Sequence, residues 1–201
     1  MTIYVDMKGE LSRDTAGDLA RQARPDTIVG EFIRNGFEAP SAPSVNTKEV
    51  VWESITVNGV QKLAVRNNGA GMSKKELEAL KNFAVKGKKA EGKRLRNKGM
   101  GARMSGLSAS PDGLEYISCH NGKIYQTLFR LEQEGDSFRV TMTPVTEIKT
   151  GDKSKDYVLV IFHGESKDHD TVKTPWSGST QYPIMRAVKE RFFRYPDGCA
   201  V

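Results

Sequence analysis

Three short clusters hold the residues of this 201-residue chain whose types and spacing suit chemistry. In the run Val29-Gly30-Glu31-Phe32-Ile33-Arg34-Asn35-Gly36-Phe37-Glu38-Ala39, Glu31 and Asn35 stand four apart, roughly 40° round an ideal helix, and Glu38 lies about 20° the other way. One helix face therefore presents two carboxylates and an amide. Magnesium prefers a few hard oxygen ligands together with water and phosphate oxygens, a set that the Asn35 carbonyl can join. A carboxylate beside it can take the proton of an attacking water. The same triplet also suits the solvated face of an amphipathic helix, so taken alone it leaves both readings open.

The second cluster, Arg66-Asn67-Asn68-Gly69-Ala70-Gly71-Met72, follows a strand pattern. Its glycines permit positive φ and let the backbone approach a flat ligand closely, and Asn67 at the strand's end is placed to pair with a base edge. The third, Asn97-Lys98-Gly99-Met100-Gly101-Ala102, opens a helix, where free N–H groups and the helix dipole favour an anion and Lys98 adds charge. A bare GxG is common in turns and hinges, so neither glycine pair is specific by itself.

The elements that must hold these clusters are legible in the surrounding pattern. A strand over Thr2 to Met7 leads to a polar helix over Asp14 to Ala23, and Pro25 suits the first turn of the next helix. Val29, Phe32, Ile33 and Phe37 recur at helical spacing from Asp26 to Ala39. Strands over Glu49 to Val57 and Val60 to Arg66 are joined by Asn58-Gly59, the pair that a type I′ hairpin turn demands. Ser73 and Glu76 have capping-box spacing at the start of another helix, and a short helix is expected near Ala102 to Leu107. Strands over Leu114 to Cys119, Lys123 to Leu131, Phe138 to Pro144 and Tyr157 to Phe162 follow, with Asn121-Gly122 as a second turn. A last helix is expected over about Pro183 to Phe193. Helices crowd the first half and strands the second, the pattern of an α+β layered domain.

Charge and composition narrow the function further. The chain is 37% hydrophobic and 28% charged, an ordinary globular profile, and its two cysteines lack any metal-ligand spacing. Cys119 and Cys199 read as free thiols in a reducing compartment, which with the absence of a long apolar run or signal layout predicts a cytoplasmic protein. Net charge is +6, yet Lys86 to Lys98 holds seven Lys/Arg and one Glu, so the remainder of the chain is neutral. One basic segment, not a basic surface, carries the excess. His120, His163 and His169 lie apart and read as structural or surface residues, and Trp52 and Trp176 as packing residues.

The order of the three clusters resembles that of the Bergerat-fold ATPases, the group of gyrase, large ATP-dependent heat-shock chaperones, sensor histidine kinases, MutL and the MORC proteins. VGEFIRNGFEA resembles the family's helix motif, LAVRNNGAGM its first glycine box and NKGMGARMSG its second, over about residues 14 to 164. The resemblance implies a two-layer α/β sandwich whose mixed, mostly antiparallel sheet is covered by helices on one face, with a flexible ATP lid. It implies ATP and Mg2+ as ligands, Glu31 as general base and Asn35 as the magnesium ligand, with Glu38 on the acidic position that closes the motif. Asn67, Gly69, Gly71 and Met72 would lie near the adenine, and Lys98, Gly99, Met100 and Gly101 near the phosphates. Residues 83–98 become the lid, facing polyphosphate. The whole of 1–201 is then one ATP-binding domain, expected to be the N-terminal module of a longer protein.

Two positions depart from the family pattern. Its base-reading Asp is Asn67 here, and the chain contains no Gly-Thr dipeptide before its last core strand. An Asn offers both an acceptor and a donor, so three outcomes are open: weaker adenine binding through the amide oxygen, guanine binding through the amide NH₂, or no nucleotide. The leading expectation is weaker adenine binding. The function expected is Mg-ATP binding with slow hydrolysis that drives conformational change or dimerisation in a larger protein. The alternatives are a non-catalytic nucleotide- or nucleic-acid-binding module using segment 86–98, and histidine-kinase phosphotransfer, for which the chain has no His before His120.

Overall fold

The structure is a computed structural model that describes residues 3–4, 13–42, 45–81, 101–150, 155–176 and 199–200. The basic segment and the expected helix over Pro183 to Phe193 lie outside the described residues. The strands are β1 (Ile3–Tyr4), β2 (Lys48–Val57), β3 (Val60–Asn67), β4 (Gly113–His120), β5 (Lys123–Glu134), β6 (Ser137–Met142), β7 (Thr146–Thr150), β8 (Tyr157–Gly164) and β9 (Cys199–Ala200). The helices are α1 (Arg13–Gln22), α2 (Ile28–Glu38), α3 (Lys74–Ala79) and α4 (Gly101–Ala109), and a 3-10 turn over Pro25–Thr27 leads into α2.

Both Asn-Gly turns behave as their chemistry requires. Asn58 and Gly59 have φ of 50° and 82°, Asn121 and Gly122 51° and 76°, the left-handed pair that matches the twist of a hairpin. Together they set β2 against β3 and β4 against β5, antiparallel throughout. The strands form one sheet in the order β1-β6-β5-β4-β8-β3-β2-β9, with β7 also pairing β5. Among the described strands only the β2–β9 pair is parallel. Two strands were not anticipated from sequence. β7 adds to β5 alongside the stretch that β6 uses, and β9 brings residues 199–200 to the edge of β2.

The helices α1, α2 and α4 pack on one another and on one face of the sheet, which is the expected two-layer α+β arrangement. Period-two alternation supplies that face: Leu63 and Val65 on β3, Leu114 and Tyr116 on β4, and Val160 and Phe162 on β8 all enter the buried cluster. Phe162, fully buried, sits edge-on to Phe32 at 5.3 Å and stacks beneath Trp52 at 6.0 Å. Trp52 and the buried Trp176 are therefore packing residues, as expected. α1 lies unusually close to β6, because a Cβ at Gly17 would overlap the backbone carbonyl of Phe138.

The opposite face carries polar pairs. Glu115 is buried and bonds His163 at 2.7 Å and Gln126, while Lys62, only 1% exposed, is enclosed by the loop that follows β8. Cys119 is buried. Among the described residues no helix is long and apolar enough to cross a membrane.

Candidate functional site

A cavity of about 400 Å³ opens between the helix layer and the sheet. Its walls are mainly apolar, from Phe32 of α2, Val50 of β2, Val65 of β3, Met72, and Val158 and Val160 of β8. The polar side chains on it are Asn35 and Glu38 of α2, Asn67 of β3, Arg103 of α4 and Tyr116 of β4. A slot of this size and character suits a flat heteroaromatic ring with a few directed polar contacts.

α2 reaches this position because its buried stripe, Ile28, Val29, Phe32 and Ile33, faces the core, and because a Cβ at Gly36 would overlap the Val50 side chain. Lys48 closes its C-terminus, donating to the carbonyls of Phe37 and Ala39, each at 2.7 Å, where the helix dipole favours a cation. Asn35 and Glu38 consequently sit on the cavity wall, Glu38 exposed. The Asn35 side chain makes no hydrogen bond among the described residues. Glu31 stands one turn earlier, outside the cavity lining. Its side chain is 19% exposed, and its carboxylate pairs with Arg34 at 3.3 Å and lies against Gly101, where an added Cβ would overlap it. The first residue of α4 is thus brought to Glu31 from 70 residues along the chain.

The loop after β3 is fastened on both sides. Asn67 Oδ1 accepts from the N–H of Gly69 at 3.2 Å, and Asn68 Oδ1 accepts from the N–H of Glu49 at 2.8 Å. Ala70 N–H donates to the Pro40 carbonyl at 2.8 Å. From β4, Ser118 Oγ accepts the N–H of Met72 at 2.6 Å, and His120 Nδ1 donates to the Ala70 carbonyl at 2.8 Å. A carbonyl only accepts, so His120 carries a proton on Nδ1. Gly71, at φ +68°, lies so close to β4 that a Cβ would overlap the Cys119 carbonyl. Here glycine is required twice over, by backbone angle and by space. Gly71 and Met72 line the cavity; Gly69 is buried behind Ala39 and Pro40.

Arg103 and Tyr116 were not anticipated. Arg103 is 5% exposed and donates to the Leu80 carbonyl, and burial pushes its pKa down. Burial pushes the Tyr116 phenol up to about 12, so it stays protonated at neutral pH. Arg103 interrupts the otherwise small or apolar helix GARMSGLSA, the one sequence signal that could have marked it. His120 and Ser118 left no such signal, since their role depends on which loop β4 meets. Lys98, Gly99 and Met100 lie outside the described residues.

Among the described residues no group of three or more His, Cys, Asp or Glu is arranged to hold a metal. Magnesium does not need one where phosphate and water complete its shell, and the uncommitted Asn35 carbonyl oxygen fits that requirement. No match was found among curated proteins. Residues 23–155, which run from before α2 to the threshold of β8, match the family described as histidine kinase-, DNA gyrase B-, and HSP90-like ATPase. That span contains all three motif clusters, and the chain belongs to this ATPase family.

Proposed function

We propose that the cavity binds ATP with magnesium and that the domain hydrolyses it slowly, using the cycle to drive a conformational change or dimerisation within a larger cytoplasmic protein. The observation that carries this reading is convergence: the amide and carboxylate face of α2, the glycine loop after β3 and the start of α4 meet around one apolar slot. In this reading the base lies against Val65, Met72 and Val160, with Asn67 and the Gly69–Met72 loop at its edge. The phosphates then run toward Gly101 and the adjoining Lys98, Gly99 and Met100, whose charge and N–H groups suit an anion. Asn35 supplies one oxygen to magnesium, which neutralises phosphate charge when bound. Glu31, steadied by Arg34, takes the proton of the attacking water. Glu38 lines the outer rim.

Calorimetric titration of ATP with and without Mg2+, followed by measurement of phosphate release, tests the proposal. Magnesium-dependent binding with slow release is expected. Binding without release would favour a non-catalytic module, and no binding of any nucleoside triphosphate would overturn the reading.

A further inference from the structure

Glycine at position 101 is not called for by the backbone around it. Gly101 opens α4, and a residue with a Cβ adopts helical backbone more readily than glycine does. The residue is exposed, so crowding by the core does not require glycine either. Among the described residues, the three atoms that an added Cβ would meet first are Oε2, Cδ and Cγ of Glu31, with Cδ at 2.7 Å and Oε2 nearer still. Gly17 and Gly71 differ in kind, because there the Cβ would overlap a backbone carbonyl, that of Phe138 and that of Cys119. Packed backbone does not give way, whereas a carboxylate at the end of a flexible side chain does. The two Glu31 oxygens are also distinguished, since Oε1 accepts from Arg34 at 3.3 Å while Oε2 faces Gly101.

We infer that Gly101 is a positioning residue for hydrolysis: its missing side chain reserves the space in which the Glu31 carboxylate sits, with Oε2 at the start of α4. The role in hydrolysis rests on the nucleotide reading above, in which the phosphates run toward Gly101. Oε2 is then the oxygen that takes the proton of the attacking water, while Oε1 is held by Arg34. A methyl group at position 101 drives the carboxylate out of its place without disturbing packed backbone, so its cost falls on turnover and not on folding. Misplacing a reacting group by about 1 Å is enough to lower a rate ~10²-fold.

Gly101→Ala tests this with and without nucleotide. At saturating Mg-ATP, phosphate release should fall about ten- to a hundredfold while affinity by calorimetry stays within a few-fold. In a Glu31→Gln background, where no base remains to displace, the same change should lower the residual rate by less than about twofold. Unchanged turnover overturns the inference. Weaker binding with turnover at saturation preserved also overturns it, because the glycine would then serve the approach of the phosphates. An equal fractional loss in both backgrounds does the same. Thermal unfolding without nucleotide reads the contact independently of activity. Gly101→Ala should raise the transition more in a Glu31→Ala background, where the space is open, than in the unsubstituted chain, and equal shifts overturn the inference. If the unsubstituted chain binds no nucleotide or releases no phosphate, the nucleotide reading fails, and the unfolding comparison still decides whether Gly101 holds the space for Glu31.

Discussion

Glu31 and Lys62 are both charged residues held by their surroundings, with opposite consequences. Glu31 keeps 19% of its side chain exposed and, among the described residues, pairs with one cation, Arg34, so its carboxylate remains accessible to a water. Glu31→Gln keeps the shape and removes the base. Phosphate release should fall by ~10²–10⁴-fold while nucleotide affinity stays within a few-fold, a split that single-turnover kinetics and calorimetry read separately. Unchanged turnover would sink the assignment. Lys62 is by contrast sealed in. Its ammonium donates to the carbonyls of His163, Ser166, Lys167 and His169 at 2.7, 3.3, 3.0 and 2.6 Å, and so gathers the loop after β8 onto β3. Lys62→Met fills the space but leaves those acceptors without their donor. We expect a loss of ~2–4 kcal/mol in urea unfolding, the usual cost of stranding buried polar groups. A change below ~0.5 kcal/mol would mean that the loop rehydrates freely.

At the scale of elements, α3 is the clearest case of local chemistry shaping the cavity. Ser73 Oγ accepts from the N–H of Glu76 while the Glu76 carboxylate accepts from the N–H and hydroxyl of Ser73, at 2.8 and 2.7 Å. This capping box starts the helix that buries Leu77 and carries the chain to Leu80 on the cavity wall. Ser73→Ala should cost ~1 kcal/mol at neutral pH. The bonds to Ser73, side chain first and backbone second, hold the Glu76 pKa below its ordinary 4.5. A carboxylate depressed in the folded state contributes stability that is fully present above 4.5 and is lost as pH falls through the lower folded value. The gap between the unsubstituted chain and Ser73→Ala should accordingly narrow below pH 4.5 in acid unfolding curves. A gap that is constant with pH would show that the carboxylate takes no part in the cap.

For the whole molecule, the cavity joins elements that are far apart in the chain: α2, the end of β3, the start of α4, and the inner face of β4 and β8. A ligand that touches all of them must be released before any of them can leave the folded state. Magnesium nucleotide at a hundredfold its Kd should therefore raise the unfolding free energy by ~2.7 kcal/mol. The shift should depend on magnesium, with thermal unfolding as the readout. An unchanged transition at concentrations that calorimetry shows to be saturating would mean that the nucleotide binds the unfolded chain as well as the folded one, and so does not depend on this cavity.

What the sequence by itself determined was local. The Asn58-Gly59 and Asn121-Gly122 turns, the start at Pro25 and the Ser73–Glu76 cap each depend on atoms within a few residues, and all are where the pattern puts them. The order of the three clusters was also legible, because each needs particular residue types at short range. Tertiary structure decided the rest. The edge pairings of β7 with β5 and of β9 with β2 arise from contacts that no local period encodes. Arg103, in a helix buried on nearly every side, shows no amphipathic stripe to mark its face. His120 likewise bonds Ala70 only because β4 passes beside Gly71. Periodicity assigns a side chain to a face, but which groups meet it there depends on strand order and close approach, and those are properties of the folded chain.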